Sequence, residues 1–218
     1  MRVLAVSAML DVDAIVAALA RIGTRVDAMR DALNAADRNL GDGDTGMTLA
    51  GIVGAWQAAS LRDAGDVGTA IVALGRAAAA ATGSSLGSVI AIGLRAAGRE
   101  AAGRAVLDRA GLVASLDAAL RAISERSGAQ PGDKTVLDSL VAIHRTMADT
   151  AGDAGLGTVA LAAAEQALRE YRGRASKLGR ARMYGERSIG HDDPGMLAVV
   201  LLLRAATAAP GESGATAT

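Results

Sequence analysis

The chain has 218 residues, with 23 Lys+Arg against 23 Asp+Glu and a formal net charge of zero, which argues against a broad basic surface for nucleic acid or an anionic membrane. It contains no Cys, no Phe, one Trp and two Tyr, which excludes disulfides and thiolate chemistry and leaves almost nothing for stacking bases. The length suits one domain, whose core must come from Ala, Leu, Val, Ile and Met.

The first ten residues, MRVLAVSAML, carry one basic residue and a short apolar run soon broken by Asp11 and Asp13. That is a poor match to a secretory signal, so a cytoplasmic location is the expectation. Beyond it, apolar residues recur at three- and four-residue spacing, and strand-like alternation is scarce. The spacing predicts helices at about 11–22, 24–37, 47–60, 67–82, 85–99, 109–126, 134–150, 155–172 and 195–208. Asp11, Asp66 and Asp133 are placed to cap three of them, and Ser115 with Asp117 sits early in another. The breaks between helices are Gly-rich or polar, and the longest, about 171–195, has the length of a functional lid. There is no heptad pattern or solenoid repeat, and the run MLAVVLLL near the end is far too short to span a bilayer. The fold class expected is all-α, one domain over residues 1–209 with about eight main helices, followed by a flexible tail at 210–218.

The first break, DRNLGDGDTG, spans 37–46 and reads as G-x-G-x-x-G through Gly41, Gly43 and Gly46. A dinucleotide fingerprint needs a buried strand before its first glycine, and the preceding residues are helical in pattern. The aspartates say more. Asp42 and Asp44, with glycines that permit a tight bend, can converge on one point, and Asp37 at the end of the preceding helix can join them. Two such charges about 4 Å apart repel by roughly 4 kcal/mol at an effective dielectric near 20. Three of them call for a cation or ample solvent. An all-oxygen set suits Mg²⁺ or Ca²⁺ rather than Zn²⁺, and magnesium could bridge the turn to a phosphate. A solvated capping turn is the competing reading, and the residues alone leave both open.

Farther along, TGSSLGS at 82–88 places Ser84 and Ser85 at a helix start, which suits an anion or an ordinary serine cap. PGDKTVLDSL offers Lys134 and Thr135 without the glycine spacing of a Walker A loop, so capping is the plain reading. The long break holds Arg174, Arg187, His191, Asp192 and Asp193, and Pro194 opens the last helix. His144 lies inside a helix and reads as structural, while His191 lies in the candidate lid. Neither a Gly-x-Ser-x-Gly elbow nor a His-Glu-x-x-His pair occurs.

Taken in order, DRNLGDGDTG, TGSSLG, PGDKTVLD and GRAS…GERSIGHDDPG resemble the L domain of dihydroxyacetone kinases, the nucleotide-binding half of that family, over about residues 10–208. The resemblance implies an antiparallel barrel of eight amphipathic helices with a nucleotide site at one end. It implies ADP or ATP and two Mg²⁺ ions there, the metal falling on Asp37, Asp42 and Asp44. Phosphate contacts fall on Thr45, Gly46, Met47, Thr48, Ser84 and Ser85. The base falls near Val136, with a further contact at Ser127 or Gly128. Arg174 and the Asp193–Pro194–Gly195 segment close the set. The implied activity is phosphoryl transfer to a small keto sugar held by a separate K-type subunit, with ATP or a phosphocarrier protein as donor. On that division of labour this chain binds Mg-nucleotide without phosphorylating the sugar by itself. A non-catalytic regulatory or adaptor protein that keeps the fold is the alternative. Three departures stand out: Thr45 where many members have His, Gly83-Ser84-Ser85-Leu86 for the usual Gly-x-Ser-Gly, and a longer lid bringing the extra Arg180 and Arg182.

Overall fold

A helix begins where a short polar side chain can take the unpaired N–H groups of its first turn, and this chain supplies one at most starts. The computed structural model describes residues 9–150 and 155–209. The expected tail at 210–218 lies outside the described residues, as do residues 1–8 and 151–154. The helices are α1 (Val12–Gly23), α2 (Val26–Asp37), α3 (Thr45–Gln57), α4 (Val67–Ala81), α5 (Ser85–Glu100), α6 (Arg109–Ser127), α7 (Val136–Asp149), α8 (Leu156–Arg172) and α9 (Pro194–Thr207). Asp11 caps α1 through the Ala14 N–H at 2.8 Å and Asp66 caps α4 through Thr69 at 2.9 Å, as expected. Asp108 and Asp193 do the same for α6 and α9, through Gly111 and Met196.

Several boundaries differ from expectation. Asp133 does not cap α7; Thr135 does, in a reciprocal capping box with Asp138. Lys134, expected inside that helix, precedes it in a left-handed conformation with φ 61°. Helix α3 starts at Thr45 and ends at Gln57, and a short 3-10 turn at Leu61–Asp63 follows. The long break is not bare loop: Arg180–Ser188 forms 3-10 turns kinked at Gly185. A two-residue antiparallel pair, β1 (Leu10–Asp11) with β2 (Val106–Leu107), was invisible to periodicity at that length.

From α2 to α9 each helix packs on the next, and α9 packs back on α2. This closes an eight-helix barrel in the all-α class expected. Short connections make sequence neighbours antiparallel, so α3, α5, α7 and α9 all begin at one end. Helix α1 lies across the other end. Its start is tied to β2, just before α6, while Arg21 Nε donates to Ala206 O at the end of α9, at 2.6 Å.

The interior is filled by Leu33, Leu49, Ile52, Val53 and Val67, all essentially inaccessible. Burial of each such side chain contributes about 1.5–3 kcal/mol. Small residues carry the closest helix contacts. A Cβ on Gly68 would lie 2.5 Å from the carbonyl oxygen of Gly98, so α4 and α5 approach backbone to backbone. In α8, Ala160, Ala163, Ala164 and Ala167 recur at helical spacing on the buried face. The one Trp, Trp56, satisfies its buried ring N–H on Leu74 O at 3.0 Å.

Candidate functional site

The turn between α2 and α3 hangs from two side chains on one face of α2. Asp37 Oδ2 accepts the N–H groups of Gly43, Asp44 and Thr45 at 3.0, 3.0 and 3.2 Å. Asn34 Oδ1, one turn earlier, accepts the Gly46 N–H at 2.8 Å. The first two donors of α3, the Thr45 and Gly46 N–H groups, are thus taken by α2. Gly46 permits the approach, because a Cβ there would lie 2.0 Å from Arg30 O. Asn34 was not singled out in the sequence; its position three residues before Asp37 was the available signal.

Asp44 occupies the N-cap position of α3, yet its side chain makes no capping bond. Its carboxylate instead joins those of Asp37 and Asp42, with one oxygen from each lying within 4.8 Å of the others. Asp37 is buried and fixed by its three N–H donors, while Asp42 and Asp44 are exposed, Asp42 being paired with Arg180. Asp37 thus caps the turn and also joins the cluster, while Asp44 does not cap its own helix. The oxygen-only donor set fits a hard divalent cation. A side chain at Gly41 would crowd this corner, since a Cβ there would lie 2.3 Å from Asp37 Oδ1.

The remaining expected residues stand at the same end of the barrel. Thr45, Gly46, Met47 and Thr48 form the first turn of α3, and Met47 is largely exposed. Ser84 caps α5 by accepting the Gly87 N–H at 3.0 Å, with Ser85 the first helical residue. Ser127 and Gly128 close α6, Gly128 in the left-handed cap. Val136 opens α7 and lies against Gly195, where a Cβ would be 3.5 Å from its own. Asp193 caps α9, Pro194 is its first residue, and Arg174 stacks over Tyr171 at 4.4 Å. His191 is exposed, and His144 sits half-buried in α7.

Lys134 organises this second wall, a role its sequence position did not suggest. It is 1% exposed, and its Nζ donates to Arg174 O and Ser188 O, both at 2.8 Å. One ammonium thus pins both ends of the long segment to the start of α7. Burial lowers its pKa, against the opposing pull of Asp193 and Asp192. The Asp193 carboxyl is packed in protein although its residue keeps some contact with solvent, and burial pushes it up to about 6. The Met196 and Gly195 N–H groups and Lys134 oppose that rise. Arg172 adds a bidentate pair to Asp192 at 2.7 and 2.6 Å, and Lys177 N–H donates to Asp133 O at 3.0 Å. The segment then reaches across the barrel end. Arg180 pairs with Asp42, and the two line a cavity of about 380 Å³ with Gly41, Met183, Tyr184 and Arg187.

A family model described as the DAK2 domain matches residues 39–208, from the turn after α2 through α9, so that α1 and α2, with Asn34 and Asp37, lie ahead of the match. The chain belongs to the DAK2 domain family. It is 34% identical to the L-erythrulose 1-kinase of Mycolicibacterium smegmatis over 78% of this chain and 30% of that protein. It is 28% identical to the ADP-binding subunit DhaL of a PEP-dependent dihydroxyacetone kinase of Listeria innocua, over 84% of this chain and 89% of that subunit. The chain therefore spans about a third of the erythrulose kinase and nearly the whole of the Listeria subunit. The fold of this DAK2 domain is that of the dihydroxyacetone kinase from C. freundii solved with AMP-PNP and Mg²⁺: TM-score 0.65 and 23% identity, over 88% of this chain and 33% of that one. Among the described residues of the DAK2 domain, no helix is long and apolar enough to cross a membrane.

Proposed function

We propose that this chain is the nucleotide-binding, L-type unit of a kinase that transfers a phosphoryl group to an alcohol of a small keto sugar, the sugar being held by a K-type subunit. ATP, or a bound ADP rephosphorylated by a carrier protein, would be the donor. The observation that carries the reading is the Asp37–Asp42–Asp44 cluster, in which the aspartate at a helix N-cap leaves its helix to join two others. Family membership and the ADP-binding relative support the same reading.

Asp37, Asp42 and Asp44 would hold Mg²⁺, two ions on the family pattern. Bound there, magnesium would offset the charge of nucleotide phosphates that the carboxylates would otherwise repel. Asp37 positions the turn as well as offering a ligand oxygen. Thr45 and Gly46 direct their N–H groups to Asp37 and Asn34, so the Met47 N–H and the hydroxyls of Thr45 and Thr48 would be the polar groups α3 offers a phosphate. Ser84 and Ser85 offer the second helix start. Val136, backed by Gly195, provides an apolar contact for the base, with Ser127 and Gly128 nearby in the chain's layout. Arg174 and the Asp193–Pro194–Gly195 corner hold the wall opposite the acidic turn, and the long segment screens the site from water.

The intact carboxylates favour the kinase reading over a regulatory protein that merely keeps the fold. Calorimetric titration of ADP with Mg²⁺ into wild type and Asp42→Ala decides it. Wild type should bind, and the variant should lose about tenfold or more, the effect of removing a charged metal ligand. Absence of binding, or binding indifferent to Asp42, overturns the metal-bridge reading.

A further inference from the structure

The Arg180–Asp42 ion pair joins two parts of the chain that otherwise meet only across the barrel end. Asp42 is one of three carboxylates crowded within 4.8 Å, and such crowding raises the energy of the turn unless a cation is near. The chain brings its own. Arg180 is the first residue of the 3-10 segment, directly after Gly179 in a left-handed conformation with φ 67°. The segment is anchored at its ends rather than its middle: Lys134 holds Arg174 O and Ser188 O, and Arg172 holds Asp192. Between these anchors, Arg180 is the residue that reaches the acidic turn through an ion pair. The neighbouring Arg182 and Met183 are exposed, Met183 to 81%.

We propose that Arg180 is an intramolecular counter-cation for the acidic turn, and that this guanidinium and a divalent metal compete for the Asp42 carboxylate. The inference rests on the metal reading of the cluster given above. Its consequence is a coupling: the stretch around Arg180 is tied to the acidic turn when Asp42 is free of metal and loses that tie when metal alone takes Asp42, while the ends held by Lys134 and Arg172 keep the segment over the site. The pair is half exposed on both sides, with side-chain exposures of 63% and 50%, so the competition is modest and sensitive to salt.

Mn²⁺ alone, titrated into the full chain without nucleotide, tests it. Arg180→Gln should bind Mn²⁺ roughly 2- to 5-fold more tightly than wild type, the range an exposed ion pair supports. That advantage should shrink as salt rises. Arg182→Gln, in the same segment and off Asp42, should bind Mn²⁺ like wild type. The second readout is chymotryptic cleavage at Met183 and Tyr184. In wild type Mn²⁺ should accelerate it; in Arg180→Gln it should be fast without metal and unresponsive to it. Equal or weaker Mn²⁺ binding by Arg180→Gln, an equal gain in Arg182→Gln, or wild-type cleavage indifferent to Mn²⁺ overturns the proposal while leaving the metal site standing. Failure of both wild type and Arg180→Gln to bind Mn²⁺ overturns the proposal and the metal reading together.

Discussion

The two walls of the site are built on opposite electrostatic plans. On one, between α2 and α3, three like charges gather near the surface, and only Asp37 is tied down by backbone donors. On the other, a single ammonium, Lys134, is sunk among carbonyl oxygens with both of its contacts internal. The first wall keeps binding capacity in reserve, since Asp42 and Asp44 contribute little to the fold that their removal would disturb. The second spends its charge on architecture. The same residue type shows the contrast: Asp193 and Asp66 turn their carboxylates into their helices as caps, while Asp44 at the equivalent position turns away.

Substitutions within the first wall should separate its two duties. Asp37→Ala removes the acceptor for three N–H groups and a metal ligand at once. It should cost about 2–4 kcal/mol of stability by leaving partly buried donors unpaired, and abolish metal-dependent nucleotide binding. Asp44→Asn, by contrast, should change stability by no more than about 0.5 kcal/mol, as expected of an exposed residue, while still weakening binding of Mg-ADP. Urea melts beside calorimetry report both. If Asp44→Asn destabilises as much as Asp37→Ala, the division of duties between them is wrong.

Lys134→Met tests the second wall. The methionine matches the stem but leaves Arg174 O and Ser188 O without their donor, at a cost of about 1.5–3 kcal/mol. Part of that is returned because a buried charge no longer has to be desolvated. The expected signature is a moderate loss of stability together with faster proteolysis within 174–188. A loss of nucleotide binding with the segment still protected would show that Lys134 touches ligand rather than holding the wall.

How far the sequence foretold these walls follows from what each is made of. The convergence of Asp37, Asp42 and Asp44 was legible because the glycines between them permit a tight bend, although spacing alone left a metal site and a solvated capping turn both open. The helices were legible from apolar spacing and Asp11 and Asp66 from capping chemistry, while their closure into a barrel came from the family resemblance. Lys134 was not, because a lysine beside Asp133 and Thr135 reads as a solvated cap, and only the distant Arg174 and Ser188 carbonyls explain its burial. Asn34 was missed because its partner, the Gly46 N–H, lies 12 residues on. Arg180 was noticed as an extra cation in a long segment, but its pairing with Asp42 depends on how the 3-10 turns fold back.

A last effect concerns pH. The folded-state pKa of Asp193, about 6, lies above the ordinary carboxyl value of 3.8. The folded chain therefore holds a proton that the unfolded chain gives up at lower pH. The stability this contributes is fully present below about pH 4 and is lost as pH rises through about 6. The Lys134 ammonium and the N–H groups of Met196 and Gly195 limit the loss, but burial outweighs them. Asp193→Asn keeps an oxygen to accept the Met196 N–H and removes the titration. Relative to wild type it should gain about 2–2.5 kcal/mol between pH 4 and pH 7, most of a two-unit shift at about 1.4 kcal/mol per unit. Urea melts across that range would show the two curves diverging as pH rises. Parallel curves would mean that the carboxyl is already ionised at pH 4 in the folded chain, and that Lys134 neutralises it as one ion partner does another instead of serving only the two carbonyls.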